Sequence, residues 1–212
     1  MLYGGEIMLG LPKKTEINKI LPKESFYRNL DISNELKAKF ISDIKKIIIA
    51  NILSEKTINV KPGKEVTEII VLNVELKEKS YDKRILELIA KQNEHHLIFN
   101  IQYGKMCQQV VWSKKLYEND WSESDGFELR IEGLELEDIW KSMVLDIVGI
   151  KANKTNSIES LLENQEEIDK MKKQILILQK KVVNEKQVNK QFEMNTRLKE
   201  YSKKLKQLEG KI

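Results

Sequence analysis

Apolar and polar positions fall into two regimes. Before residue 149, alternating and helical spacings succeed one another; after it, one helical stripe dominates. The strongest early helix is predicted over 33–51, with Leu36, Phe40, Ile44, Ile47 and Ile48 on one face and Lys37, Asp43 and Lys46 elsewhere. A shorter helix capped by Thr15 is expected to end near Pro22. Lys61-Pro62-Gly63-Lys64 reads as a turn. Within 66–76, Ile70, Leu72, Val74 and Leu76 alternate with Val71, Asn73, Glu75 and Lys77, the pattern of a strand with one fully apolar face. A helix follows over 81–91, with Ile85, Leu88 and Ile89 inward. Strands at 97–103 and 106–112 flank a tight Gly104-Lys105 hairpin turn. A polar loop at 118–126 leads to a strand at 127–131, and a helix over 136–148 turns Ile139, Met143 and Ile147 inward.

The expected fold class is therefore α+β: a small mixed or antiparallel sheet of about four strands with helices on one face, followed by a C-terminal long helix or helical hairpin of the coiled-coil kind. The expected organisation is a disordered leader at 1–7, an α+β domain at 8–149, a linker at 150–156 and a helical tail at 157–212, with Ser157 as its N-cap.

The tail holds no proline, and no glycine before Gly210. Leu161, Ile168, Met171, Ile175, Leu178 and Val182 form one apolar stripe; Met194, Leu198, Tyr201, Leu205, Leu208 and Ile212 form a second, out of phase with the first. A lone helix cannot bury such a stripe, so another helix must cover it, the chain's own or a partner's. The missing glycine and proline favour one continuous helix of roughly 50 residues, ~80 Å long. The phase break between 183 and 192 favours a hairpin, or a change of partner there. The balance falls on the continuous helix.

Composition adds charge asymmetry. The net charge is +4, yet 170–211 carries 13 basic residues against 4 acidic, leaving 24 basic against 29 acidic elsewhere. A mildly acidic body with a basic tail points to an acidic partner, nucleic acid or protein, and a solvated lysine-rich face is the plainer alternative. The single cysteine, Cys107, precludes an intrachain disulfide, suits a reducing cytosol and reads as a buried thiol. No window approaches a membrane span, and the N-terminus lacks signal-peptide regions, so the expected location is cytoplasmic, with no membrane partner.

Candidate chemistry is sparse. Glu75-Leu76-Lys77 at a strand end matches the metal-and-lysine half of restriction-type nuclease sites, both side chains pointing the same way. Asp43 is a candidate for one further acid and no second presents itself, so a solvated strand end carries more weight. His95 and His96 are adjacent and do not suit one metal. Trp112, Trp121 and Trp140 read as core or loop anchors. No phosphate loop, Cys-x-x-Cys or nucleophile elbow is present, and neither a metal site nor a cofactor is expected.

Several stretches together are similar to a bacterial family named only as domain of unknown function 4391: Leu11-Pro12 with Thr15, Leu21-Pro22-Lys23 with Phe26, 74–79 followed by Asp82-Lys83, 86–89, 96–99 and 186–200. At His95-His96 the chain departs from the proline-containing step usual in similar proteins. The resemblance implies a small accessory protein encoded near helicase-like and methyltransferase-like proteins of restriction or antiphage loci, and it supplies no catalytic residues.

The leading expectation is an accessory or adaptor subunit of a bacterial DNA-processing or antiphage defence complex. Its partner would be a helicase-like or methyltransferase-like protein, itself, or DNA. Expected partner-binding residues are Leu161, Ile168, Met171, Ile175, Leu178, Val182, Phe192, Leu198 and Leu205. Lys180, Lys181, Lys186, Lys190, Arg197, Lys203 and Lys204 would meet nucleic acid or an acidic surface. The alternatives are a metal-dependent nuclease using Glu75 and Lys77, and a self-associating coiled-coil protein.

Overall fold

The computed structural model describes residues 9–29, 31–123, 126–150 and 157–210. The chain divides into two compact units, Met1–Gly149 and Ile150–Ile212. The leader expected at 1–7 and residues 151–156 of the expected linker lie outside the described residues.

Unit one is built on β1 (Glu16–Leu21), β2 (Ile44–Leu53), β3 (Ile69–Leu76), β4 (His96–Tyr103), β5 (Met106–Ser113), β6 (Lys115–Glu118) and β7 (Ser122–Glu123). The sheet runs β1-β2-β3-β4-β5-β6, and β7 pairs with the first residues of β5. All neighbours are antiparallel except β3 and β4, which are parallel. A parallel pair needs a crossover, which α4 (Arg84–Lys91) supplies. Helices α1 (Lys23–Asn29), α2 (Asn34–Asp43), α3 (Glu55–Ile58) and α5 (Leu136–Val148) complete the unit.

The fold is α+β, as expected, with seven described strands rather than about four. The helix expected over 33–51 is half right. Ser33 does cap α2, its Oγ accepting from the Leu36 amide at 3.2 Å, but the helix stops at Asp43 and Ile44 opens β2. The run Ile47-Ile48-Ile49 is β-branched and favours the strand. Irregularities in the β2–β3 register fall between Ile44 and Lys46 and between Ile49 and Asn51. Each bulge adds a residue, so buried positions fall at Ile44, Ile47, Ala50 and Leu53, a three-residue rhythm that mimics a helix.

The helix expected after Thr15 is instead a turn of 3-10 helix, Lys13–Thr15, leading into edge strand β1. Asn51 Nδ2 donates to the buried Thr15 Oγ1 at 2.8 Å and ties that turn to β2. Residues 127–131 carry no strand.

Helices occupy both sheet faces rather than one. Leu36 and Phe40 of α2 and Ile85, Leu86 and Ile89 of α4 share a core with Ile70, Leu72, Val74, Leu97, Phe99, Ile101 and Val110. The intervening strand positions Ile69, Val71, Ile98 and Val111 are equally buried. His96 lies on that second face, and its ring meets Trp140 of α5 edge-on at 4.8 Å. A parallel pair apolar on both faces demands two covers, and Ile69-Ile70-Val71-Leu72 is such a segment.

Unit two is a helical hairpin. Helix α6 (Ile158–Asn184) begins at Ser157, whose Oγ accepts from the Ser160 amide at 3.3 Å, and α7 (Val188–Glu209) returns against it. The continuous helix is thus corrected. Residues 185–187 turn without glycine or proline because polar side chains satisfy the exposed helix end. Asn184 Nδ2 donates to the Lys180 carbonyl at 3.0 Å, Gln191 Nε2 to the Val182 carbonyl at 3.3 Å, and the Gln187 amide to Glu185 Oε1 at 2.9 Å.

Candidate partner-binding site

The two out-of-phase stripes of the tail are the two sides of one seam. Gln191 meets Val182 near the turn and Lys172 meets Glu209 at 3.1 Å near the base, which fixes an antiparallel register. That register sets Ile168, Met171, Ile175, Leu178 and Val182 level with Leu208, Leu205, Tyr201, Leu198 and Met194. Ile168, Met171 and Leu208 are buried, and the seam residues nearer the turn are half-buried.

Of the expected partner-binding residues, Leu161, Ile168 and Met171 are therefore buried, and Ile175, Leu178, Val182, Leu198 and Leu205 are half-buried along the seam. Only Phe192 stands open to solvent, at 73% exposure. Leu176, Ile177, Val183 and Val188 are open as well, Val183 at 81%, and a search for stripes passes over them because they lie off the seam. Their signal in the sequence was surplus: more large apolar residues than one stripe needs. Lys180, Lys181, Lys186, Lys190, Arg197, Lys203 and Lys204 are all exposed. From 176 to 197 there are five basic residues against two acidic. Near the turn, a shallow groove of about 490 Å³ runs between Ile177, Lys180, Lys181, Asn184, Glu185 and Met194.

The sheet brings Asp43, Glu75 and Lys77 to one end, because antiparallel β2 starts where β3 finishes. Their side chains are engaged separately. Glu75 pairs with Lys45 at 2.6 Å and faces Lys46 across the ladder. Lys77 Nζ donates to the Ile41 carbonyl at 2.8 Å, while Asp43 Oδ2 accepts from the Asp82 amide at 2.9 Å. Lys23 Nζ donates to the Ile44 carbonyl close by; its pKa is lowered by burial, with the nearby Lys77 charge adding to the effect. The Glu75 carboxylate is thus engaged by the Lys45 amine where a metal would need further oxygen ligands. Among the described residues, no group of three or more His, Cys, Asp or Glu side chains converges.

His95 and His96 serve different neighbours: His95 Nδ1 lies 3.5 Å from Glu68, and His96 packs on Trp140. Burial pulls His96 below the usual imidazole pKa, against the opposing charges of Glu137 and Glu65. Trp112 lies beneath the Lys91 ammonium and Trp121 beneath that of Lys79, and Cys107 is buried.

Sequence reading missed a chain of carboxamides across the second sheet face. Asn100 Nδ2 donates to Asn73 Oδ1 at 2.9 Å, Gln109 Nε2 to Asn100 Oδ1 at 2.9 Å, and Asn119 Nδ2 to Gln109 Oε1 at 2.6 Å. Asn100 and Gln109 are fully buried. The signal was a polar residue in mid-strand, as in Phe99-Asn100-Ile101. Its amides satisfy one another and hold β3, β4 and β5 in register, so the chain of bonds is structural.

No helix among the described residues is long and apolar enough to cross a membrane. The chain matches no curated protein and no solved structure. A family model described as Domain of unknown function (DUF4391) matches residues 9–205, spanning the sheet unit and nearly all of the hairpin. The chain belongs to that family.

Proposed function

We propose that this protein is an accessory or adaptor subunit of a bacterial DNA-processing or antiphage defence complex, and that the hairpin is the part that binds. One observation carries the binding role: large apolar side chains stay open around the hairpin turn although the helices already share a seam. An exposed apolar cluster of this kind marks an interaction surface. The setting rests on the family resemblance alone. A helicase-like or methyltransferase-like subunit is the expected partner.

The test is co-purification from the native host of the tagged full chain and of its Phe192→Asp variant, with mass-spectrometric identification of what is retained. The reading predicts a DNA-processing subunit in near-stoichiometric amount, lost from the variant. Recovery of no such subunit, or equal recovery with both proteins, contradicts it.

A further inference from the structure

We infer that one flank of the hairpin receives an acidic amphipathic helix from the partner, which completes a three-helix bundle. The inference deepens the binding role proposed above and rests on it. In an antiparallel pair, residues that follow the seam positions of both helices lie on the same flank. Leu176 follows Ile175, Val183 follows Val182 and Phe192 follows Gln191, while Val188 lies one helical turn before Phe192. All four therefore share a flank, and each is exposed. The Lys172–Glu209 pair, formed between residues that follow Met171 and Leu208, marks the same flank nearer the base.

Beside the apolar strip the charge is basic, and the acids of this flank, Asp169 and Glu209, lie nearer the base. The helical phase places Lys199 on this flank and Lys173, Lys180 and Lys203 on the outer face that borders it, Lys180 also lining the groove beside Ile177, whereas Glu193 and Glu200 precede seam residues and so lie on the opposite flank. A strip of four large apolar side chains bordered by lysines complements a helix with one apolar stripe and carboxylates beside it. A second copy of this chain docking through the same flank would set lysines against lysines. A nucleic acid would satisfy the lysines and leave Val183, Val188 and Phe192 in water. The acidic helix is the one occupant that satisfies both features.

The test uses the full chain and fluorescence anisotropy with three labelled probes: a synthetic helix with a leucine stripe bordered by glutamates, the same helix with lysines for glutamates, and a short DNA duplex. The acidic helix is expected to bind and the lysine helix is not. Phe192→Asp should abolish binding, while Ile177→Asp, on the opposite flank, should leave it unchanged. Lys180→Glu with Lys199→Glu should weaken binding about tenfold, as expected for two partly exposed ion pairs. No binding of the acidic helix, equal binding of both helices, equal damage from Ile177→Asp, or DNA competing the acidic helix away would each overturn the inference. So would sedimentation showing a dimer that Phe192→Asp dissolves. If the native partner is retained through Phe192 while the acidic helix fails to bind, only this inference falls. If retention ignores Phe192, the functional reading falls with it.

Discussion

The sheet unit and the hairpin solve the same burial problem to different depths. In the sheet, both faces of β3 and β4 are covered, and Ile69, Val71, Ile98, Phe99 and Ile101 are closed to solvent. In the hairpin, two helices share one seam, which is buried towards the base and half-open towards the turn. A sheet between two helical layers closes its core by itself, whereas two helices cover one stripe and leave their flanks wet. The first unit has a closed core with exposed apolar residues such as Ile20, Ile41 and Leu134 outside it, whereas the second gathers its exposed apolar side chains around one turn, where a third helix would cover them.

The largest expected effect tests this contrast. Phe99→Ala opens a cavity in the closed core and should cost ~3–5 kcal/mol in urea unfolding, while Phe192→Ala should fall within ~0.5 kcal/mol. Comparable losses at the two positions would erase the distinction. Asn100→Ala comes next. It strips partners from Asn73 and Gln109, and with each orphaned group costing ~1–3 kcal/mol the expected loss is roughly 2–4 kcal/mol. Leu178→Ala, in the half-open seam, should cost only about 1–2 kcal/mol when helicity is followed on heating.

A pH titration sharpens the picture of the second sheet face. Burial holds the folded His96 pKa below its unfolded value of 6.5, so the unfolded chain takes up the proton first. The stability this group provides is complete above pH 6.5 and is lost as the pH falls below it. His96→Phe should flatten the melting temperature across that window. The smallest effect belongs to Glu75→Ala, which removes an exposed pair with Lys45 and should cost ~0.5 kcal/mol or less. Wild type and variant should be alike in nicking plasmid with Mg²⁺ or Mn²⁺, and a difference would restore the nuclease alternative.

Legibility in the sequence followed local regularity. Helix α5, the β4–β5 hairpin and the Ser33 and Ser157 caps obey simple periods and cap chemistry, and they were readable. Strand β2 was not, because its two bulges turn a period of two into a period of three. The second sheet cover was foreshadowed by Ile69 and Val71, which the one-faced alternation left unexplained. The hairpin turn was hidden because Asn184, Glu185 and Gln191 do through side chains what glycine or proline does through the backbone. For the candidate site, the basic residues and Phe192 are exposed, as a surface role requires. The expected contact stripe was legible, but it sits in the seam, since an apolar stripe by itself does not reveal whether its cover is the same chain.

Hydrogen–deuterium exchange of the full chain, alone and with its co-purified subunit, tests the central claim most directly. Exchange should slow over 176–192, with β3, β4 and the 75–77 strand end unchanged. Protection confined to 75–77, with the hairpin exchanging as in the free protein, would contradict that claim.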